Sequence, residues 1–392
     1  MLATAATVVR YALFALGFAP LAYYLIAIFA ASRFFATHRQ NSDSPESSFT
    51  PPVSVLKPIY GLDRETYENY ASFCVQDYPD YEILFCASDE HDPAVPIVYK
   101  LIQDFPNRQI RLLIGSEPLG VSDKVNKLCR MSREAQHDIV IVSDSDVRVD
   151  AGFLRAVAAS FRDAKVGAVT CLYRGLTDGS LAANLEALGN STDFAAGVLV
   201  AWLFGDVNFT LGATMATRKI PLAEIGGFES LVDYFSDDYE LGNRIANKGY
   251  RVELIPHPVA IVYPHQTLKD AFLHQLRWNL SIRFSRPGGH LGLIFTQGLP
   301  LAVLAAICAP TVFWSAAILA AYLVLRFVSA WTIGVNGMKD ANLRHKMDLL
   351  FLRDVFAFAV WAASFFPQRI VWRGKQFEVR DKRLVAVAAR EP

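Results

Sequence analysis

From Tyr11 to Ser32 the chain carries no charged side chain; the first charge after Arg10 is Arg33. About 20 consecutive apolar residues span the hydrocarbon core of a bilayer, so Tyr11–Phe35 is expected to be a transmembrane helix. A cleaved signal peptide is the rival, because Ala30-Ala31-Ser32 could serve as a cleavage site. The apolar core is longer than a signal sequence needs and only Arg10 precedes it, which favours a retained anchor. Arg33, His38 and Arg39 follow it and put that side in the cytoplasm.

The other end is also apolar. Leu291–Ala309 and Thr311–Ile333 are each long enough to cross, with Pro310 between them. Leu349–Phe366 is shorter and contains Arg353 and Asp354, so it reads as a re-entrant or interfacial helix or a short span. Four crossings from an outside N-terminus would leave the basic tail (Arg369, Arg373, Lys375, Arg380, Lys382, Arg383) outside. The positive-inside rule puts it in the cytoplasm. Demoting the last segment resolves the conflict. These ends supply most of the apolar surplus in a 53% hydrophobic chain. With 38 basic and 38 acidic residues, nothing points to nucleic acid as a partner. Five cysteines without a CxxC pair argue against a disulfide framework or a zinc site, and fit a reducing compartment.

Between the ends the pattern changes. A polar Ser/Pro-rich linker, Gln40–Pro52, leads into short β-branched and apolar runs at Val53–Leu56, Glu82–Ala87, Ile110–Ile114, Ile139–Val142 and Gly167–Leu172. Stretches of helical period separate them: Arg64–Val75, Ala94–Phe105, Lys124–Ala135 and Ala151–Phe161. Alternating strands and helices imply right-handed crossovers and an α/β fold with a mostly parallel sheet. Ligands of such sheets bind at the carboxyl ends of the strands, so residues just after the runs are the first candidates for chemistry.

Asp144-Ser145-Asp146 directly follows the run Ile139–Val142 and the residue Ser143. Two carboxylates there can hold a hard cation, Mg2+ or Mn2+, and bridge it to a diphosphate. The same residues also suit a strand-to-helix turn, with an Asp capping the helix expected from Ala151. Asp89 and Asp92 follow the second strand and can accept hydrogen bonds from a base or ribose, or form an ordinary Asp-Pro turn. Asp237-Asp238 opens a helix through Leu241–Asn247. The pair can interact with the helix dipole, or supply the general base that takes a proton from an acceptor hydroxyl. In the segment 272–284, Phe272, Leu276, Leu280 and Phe284 make one apolar stripe. His274, Arg277 and Trp278 share a different face, which could offer a guanidinium to a diphosphate or simply hold a surface Arg and a core Trp.

The ordered series Asp92, Asp144-Ser145-Asp146, Asp238 and Arg277-Trp278 resembles the D, DxD, D, (Q/R)xxRW pattern of processive-type family 2 glycosyltransferases. It is most similar to the ceramide glucosyltransferases and their bacterial relatives, including hopanoid-biosynthesis glycosyltransferases. Lys57-Pro-Ile-Tyr-Gly61, Asp77-Tyr-Pro-Asp-Tyr81, Asp92-Pro-Ala94, the Lys124-Val-Asn126 region and Asp237-Asp-Tyr239 share in it, over roughly Pro51 to Pro287. Trp372-Arg-Gly-Lys375 looks like the family's post-membrane motif. His274 departs from the pattern, standing where the family has Gln or Arg.

The resemblance implies a GT-A-like nucleotide-sugar domain flanked by transmembrane helices. Asp92, with Asp89 and Lys124 beside it, would contact the nucleotide sugar, and Asp144 and Asp146 would hold the metal diphosphate. Asp238, next to Asp237, would be the base, with Arg277, Trp278 and position 274 closing the site. The expected layout is an anchor at 1–39, a linker at 40–52, a catalytic domain at 53–287, membrane segments at 288–370 and a cytoplasmic tail at 371–392. The expected reaction is inverting transfer of a sugar, glucose first, from a UDP-sugar to the hydroxyl of a membrane lipid such as ceramide. The expected setting is a bacterial inner membrane with the catalytic domain in the cytoplasm. A hopanoid polyol accepting N-acetylglucosamine and a growing polysaccharide are rival acceptors, and a catalytically silent membrane scaffold is the non-enzyme alternative. All four motif acids are present, which disfavours the scaffold. Three formal N-glycosylation acceptors, at Asn190, Asn208 and Asn279, fall inside the expected catalytic domain and are read as chance matches.

Overall fold

Apolar runs that do not alternate become strands when both faces of a sheet are covered. Val53–Pro58 (β1), Tyr81–Ala87 (β2) and Ile139–Ser143 (β4) are buried along their whole length. This is a computed structural model, and it describes residues 2–42, 49–366, 370–372 and 375–386. The middle of the linker, with Arg369 and Arg373 of the basic tail, lies outside the described residues, as do the side chains of His38, Arg39 and Lys375.

The chain divides into two units. The sheet unit comprises Ser42–Leu176, Asp206–Pro264 and Gln368–Pro392. With Gln109–Ile114 (β3), Val147–Arg148 (β5), Val166–Leu176 (β6), Thr214–Arg218 (β7) and Arg251–Val262 (β8), it forms an eight-stranded sheet in the order β3-β2-β1-β4-β7-β6-β8-β5. Pairings β1–β2, β2–β3, β1–β4 and β6–β8 are parallel. Strands β7 and β5 run antiparallel to their neighbours. The expected mostly parallel α/β sheet is therefore present, with β5, β7 and β8 added to the five strands read from the sequence. The helices expected between the strands lie at Thr66–Cys74, Val95–Asp104, Asp123–Glu134 and Phe153–Ser160.

The tail is more than a basic extension. Ile370–Trp372 (β9), Lys375–Arg380 (β10) and Arg383–Ala386 (β11) form a small antiparallel sheet that belongs to the sheet unit.

The helical unit comprises Met1–Asn41, Thr177–Gly205 and His265–Pro367. Among the described residues, two helices are long and apolar enough to cross a membrane, Ala5–Thr37 and Val312–Gly337. The first is interrupted at Gly17, where a side chain would collide with Ala305 and Ile318. The region expected as a second span, 291–309, is a pair, Pro287–Thr296 and Gly298–Cys308, bent by 57°. Leu350–Ala363 has 14 residues, about 21 Å at 1.5 Å per residue, which is short of the roughly 30 Å hydrocarbon core.

That short helix carries the charges that make it unusual. Asp354 accepts from Arg326 Nε at 3.0 Å and Nη2 at 2.6 Å, and from the Tyr322 hydroxyl at 2.6 Å. Arg326 and Arg353 both donate to Asp193, each at 2.9 Å. Arg326, Arg353 and Asp354 are all buried. Removing Asp354 leaves two buried guanidiniums sharing Asp193, one of their charges uncompensated, which costs about 3–5 kcal/mol. Asp354→Leu is therefore expected to lower the unfolding temperature of the detergent-solubilised protein sharply. The double variant Arg326→Met/Asp354→Leu should recover most of the loss. A single variant as stable as the parent would show that the pair does not hold the short helix.

Candidate active site

Strand β4 ends at Ser143 and delivers Asp144 and Asp146 to the carboxyl edge of the parallel strands. Neither caps a helix. The next helix is Phe153–Ser160, with Gly152 at its cap position, and Asp150 binds the Gly152 amide at 3.0 Å. The capping alternative for the DxD motif is thereby excluded.

The chain closes on these carboxylates from two other elements. Ser122 caps the helix Asp123–Glu134 by accepting from Val125, so the first turn presents Lys124. Its ammonium lies 2.7 Å from Asp144 Oδ1 and 3.8 Å from Asp237 Oδ2. Asp237 opens the helix Asp237–Asn247, and its Oδ2 is buried with no hydrogen-bond donor. Next to it, Asp238 accepts from the Tyr239 amide at 2.8 Å, and its carbonyl accepts from the Thr210 hydroxyl at 2.7 Å. Gly212 faces Asp238: a β-carbon there would sit 3.0 Å from Oδ2, so any side chain would crowd the carboxylate.

The electrostatics follow from placing so many acids together. Burial pushes the Asp146 carboxyl up to about 7, assisted by the negative charges of Asp144 and Asp63. Burial, then the neighbouring Asp237, pushes Asp238 up to about 6, opposed by Lys124. Asp144 and Asp237 hold Lys124 firmly protonated against its own burial. Lys57 lies beneath the site on β1 and is fully buried. Its ammonium donates to the Asp144 carbonyl at 2.8 Å and stands 4.0 Å over the Phe73 ring, and burial lowers it to about 7.

Sequence reasoning gave no role to Lys57 and did not single out Asp63. A lysine inside an otherwise apolar strand was the available signal for the first.

The residues fit a divalent cation of a particular kind. Among the described residues no three His, Cys, Asp or Glu side chains converge as a closed metal site. Mg2+ commonly takes only one or two carboxylates and completes its shell with water and substrate phosphates. Asp144 and Asp146 suit that role. A cation between them would also remove the charge repulsion that now opposes ionisation of Asp146.

Asp89 and Asp92 follow β2 as expected, and both organise backbone. Asp89 accepts from the His91 amide at 2.7 Å. Asp92 accepts from Gly61 at 3.0 Å and from Ala94 at 2.9 Å, tying the turn after β1 to the start of the helix Val95–Asp104. The Asp-Pro turn is real.

His274, Arg277 and Trp278 lie on the helix Leu268–Ser285, which a Thr267/Asp270 capping box starts. This helix is part of the helical unit, whereas Asp89, Asp92, Lys124, Asp144, Asp146, Asp237 and Asp238 belong to the sheet unit. Of the expected apolar stripe, Leu276 and Leu280 are buried, while Phe272 and Phe284 are half-buried. His274 Nδ1 pairs with Glu186 Oε1 at 2.9 Å, and its ring packs on Trp278 at 4.8 Å. Glu186 is fully buried and also accepts from Gln275 at 3.0 Å and from Gln266.

A mostly parallel sheet that ends in a DxD pair, faced by a second acidic pair, defines a GT-A-like glycosyltransferase domain. The chain belongs to glycosyl transferase family 21, whose family model matches residues 12–385. It is 30% identical over 270 residues to ceramide glucosyltransferase 3 of Caenorhabditis elegans, covering 65% of this chain and 55% of the relative. It is also 30% identical over 257 residues to ceramide glucosyltransferase 1 of the same organism, covering 65% and 54%. The chain thus spans about half the length of the curated relatives it matches. Among solved structures, it matches a mannosyltransferase, PcManGT from Pyrobaculum calidifontis, in complex with GDP-Man and Mn2+. That match has a TM-score of 0.49 and 19% identity, and covers 90% of this chain and 99% of that one.

Proposed function

We propose that the protein is an inverting glycosyltransferase that moves a sugar, glucose first, from a UDP-sugar to the hydroxyl of a membrane lipid such as ceramide. The observation that carries this reading is the convergence of Asp144, Lys124 and Asp237-Asp238 at the carboxyl edge of the sheet. Family membership and the printed activities of its relatives support it.

Asp238 is the base in this reading. Its carboxyl, pushed up to about 6, is mostly ionised at neutral pH yet more basic than an exposed aspartate, which suits abstraction of a hydroxyl proton. Lys124 sits between the two acidic pairs, where it can stabilise negative charge that develops on a departing diphosphate. A divalent cation on Asp144 and Asp146 would supply Lewis-acid stabilisation of the same leaving group. Asp92 and Asp89 would orient the nucleotide. Within the helical unit, His274 is held by Glu186 beside Trp278.

The test is UDP release by the purified full chain, with UDP-glucose in lipid nanodiscs with and without ceramide. Acceptor-dependent release and a β-linked product, read by NMR from the α-linked donor, are expected. Release that no lipid acceptor stimulates would remove the acceptor assignment, and an α-linked product would remove the inverting mechanism.

The sheet unit is proposed to face the cytoplasm, where nucleotide sugars are made. Asn208 is the useful reporter, because it is exposed whereas Asn190 is buried. Expressed in a eukaryotic host, the protein is expected to gain no endoglycosidase-sensitive mass. Glycosylation at Asn208 in an active product would overturn the orientation.

A further inference from the structure

We infer that the C-terminal hairpin, β10 and β11, is a positioning element that clamps the segment carrying Asp237 and Asp238. This rests on the assignment of Asp238 as the base.

The hairpin meets that segment on both sides of the carboxylate pair. Before the pair, the Leu384 amide donates to the Asp233 carbonyl at 2.8 Å, and the Phe235 amide donates to the Lys382 carbonyl at 3.0 Å. Tyr234 and Arg383 form an antiparallel bridge, with the guanidinium 5.2 Å from the Tyr234 ring centroid. After the pair, Lys382 Nζ lies 3.4 Å from Glu240 Oε1 and 5.7 Å from the centre of the Tyr239 ring. Glu240 is buried, and its other oxygen is bound by Arg244 at 3.1 Å. Leu384 and Phe377 are buried, so the hairpin is seated rather than draped.

Lys382 concentrates these contacts at a conformational cost. Asp381 and Lys382 form the two-residue turn with φ of 49° and 65°. Both central residues of such a turn are left-handed, where glycine is preferred and a lysine costs about 1 kcal/mol. A lysine held there against its preference is expected where its side chain has a task.

The far side of the clamped segment explains what that task governs. The Val232 carbonyl accepts from the Ser122 amide at 2.9 Å, and Asp233 Oδ1 accepts from the Val121 amide at 3.1 Å. Ser122 caps the helix that presents Lys124. The segment from Val232 to Glu240 is therefore held between the tail hairpin and the base of the Lys124 helix. Its inner end carries the groups that must meet the acceptor hydroxyl.

Lys382→Gly isolates the side chain, because glycine suits the turn and keeps the carbonyl that Phe235 uses. In the full-length protein it should lower kcat about tenfold with the UDP-sugar KM within about twofold, since small misplacements of a reacting group cost up to about a hundredfold. Lys382→Arg should restore most of the loss. Leu384→Pro removes the amide that Asp233 binds and should cost more. Hydrogen exchange of residues 232–240 should accelerate in Lys382→Gly and Leu384→Pro alike, with a smaller change in the strands β1, β2 and β4. Parental exchange at 232–240 together with parental kcat in Lys382→Gly would overturn the clamp. Accelerated exchange with an active Asp238→Asn variant would keep the clamp and remove the base assignment instead.

Discussion

Asp238→Asn is expected to lower kcat by about 10²–10⁴ while leaving donor binding and the unfolding temperature close to those of the parent. The amide keeps the shape of the carboxylate and its acceptor oxygen for the Tyr239 amide, so the local fold has no reason to change. What it loses is the ability to take a proton. Asp237→Asn should behave differently, because Asp237 faces Lys124 at 3.8 Å and its loss disturbs charge balance first. The pH profile gives a second reading. A base must be ionised to act, and burial with Asp237 alongside raises Asp238 to about 6. With Mg2+ in excess, so that Asp146 stays ionised, activity should therefore climb through about pH 6 to a plateau above it, and that acidic limb should vanish from the residual activity of Asp238→Asn. If Asp237→Asn proves the inactive variant while Asp238→Asn retains turnover, the roles within the pair are reversed.

The parts of the fold legible in the sequence were those whose burial is symmetric. Strands β1, β2 and β4 are covered on both faces, so each shows as a mainly apolar run, broken by Ser54 and Lys57 in β1 and by Glu82 in β2. Strand β8 was hidden by Pro256 and Pro258, which ordinarily argue against a strand. The structure accommodates them in an irregularity: Cys171 pairs with Ile255 and Tyr173 with Val259, so residues 256–258 oppose Leu172 alone. Strand β7, Thr-Met-Ala-Thr-Arg, has no strong apolar signature of its own and is buried by the strands on either side.

The site divides in the same way. Asp144, Asp146, Asp237 and Asp238 were legible as candidates because each stands just after a strand or at the start of a helix, where position adds meaning to an acid. The partners of the helix Leu268–Ser285 were not. Glu186 lies 88 residues before His274, and no local pattern marks it as the carboxylate beneath that ring. The tail was read only by its charge. Its strands are short, and two of its cations, Lys382 and Arg383, make specific contacts with Glu240, Tyr239 and Tyr234. Long-range pairing of this kind depends on tertiary context that a single sequence does not print.

Asp146→Ala, and treatment of the parent with EDTA, should each abolish most turnover, by about 10³-fold if the cation supplies several kcal/mol of transition-state stabilisation. Mg2+ or Mn2+ should restore the EDTA-treated parent and not the variant. Stability separates loss of chemistry from loss of fold. Asp146 is held above its ordinary value by burial and by Asp144, so its folded-state pKa lies above the unfolded one. Such a group destabilises the folded protein at pH values above its unfolded pKa, which includes neutral pH. Removing it should therefore leave the unfolding temperature at pH 8 unchanged or raised. Added Mn2+ should raise the unfolding temperature of the parent and not of Asp146→Ala, because a ligand that binds only the folded state stabilises it by mass action. Full activity in EDTA would remove the metal from the mechanism. It would leave Lys124, 2.7 Å from Asp144, to carry the stabilisation of the departing diphosphate.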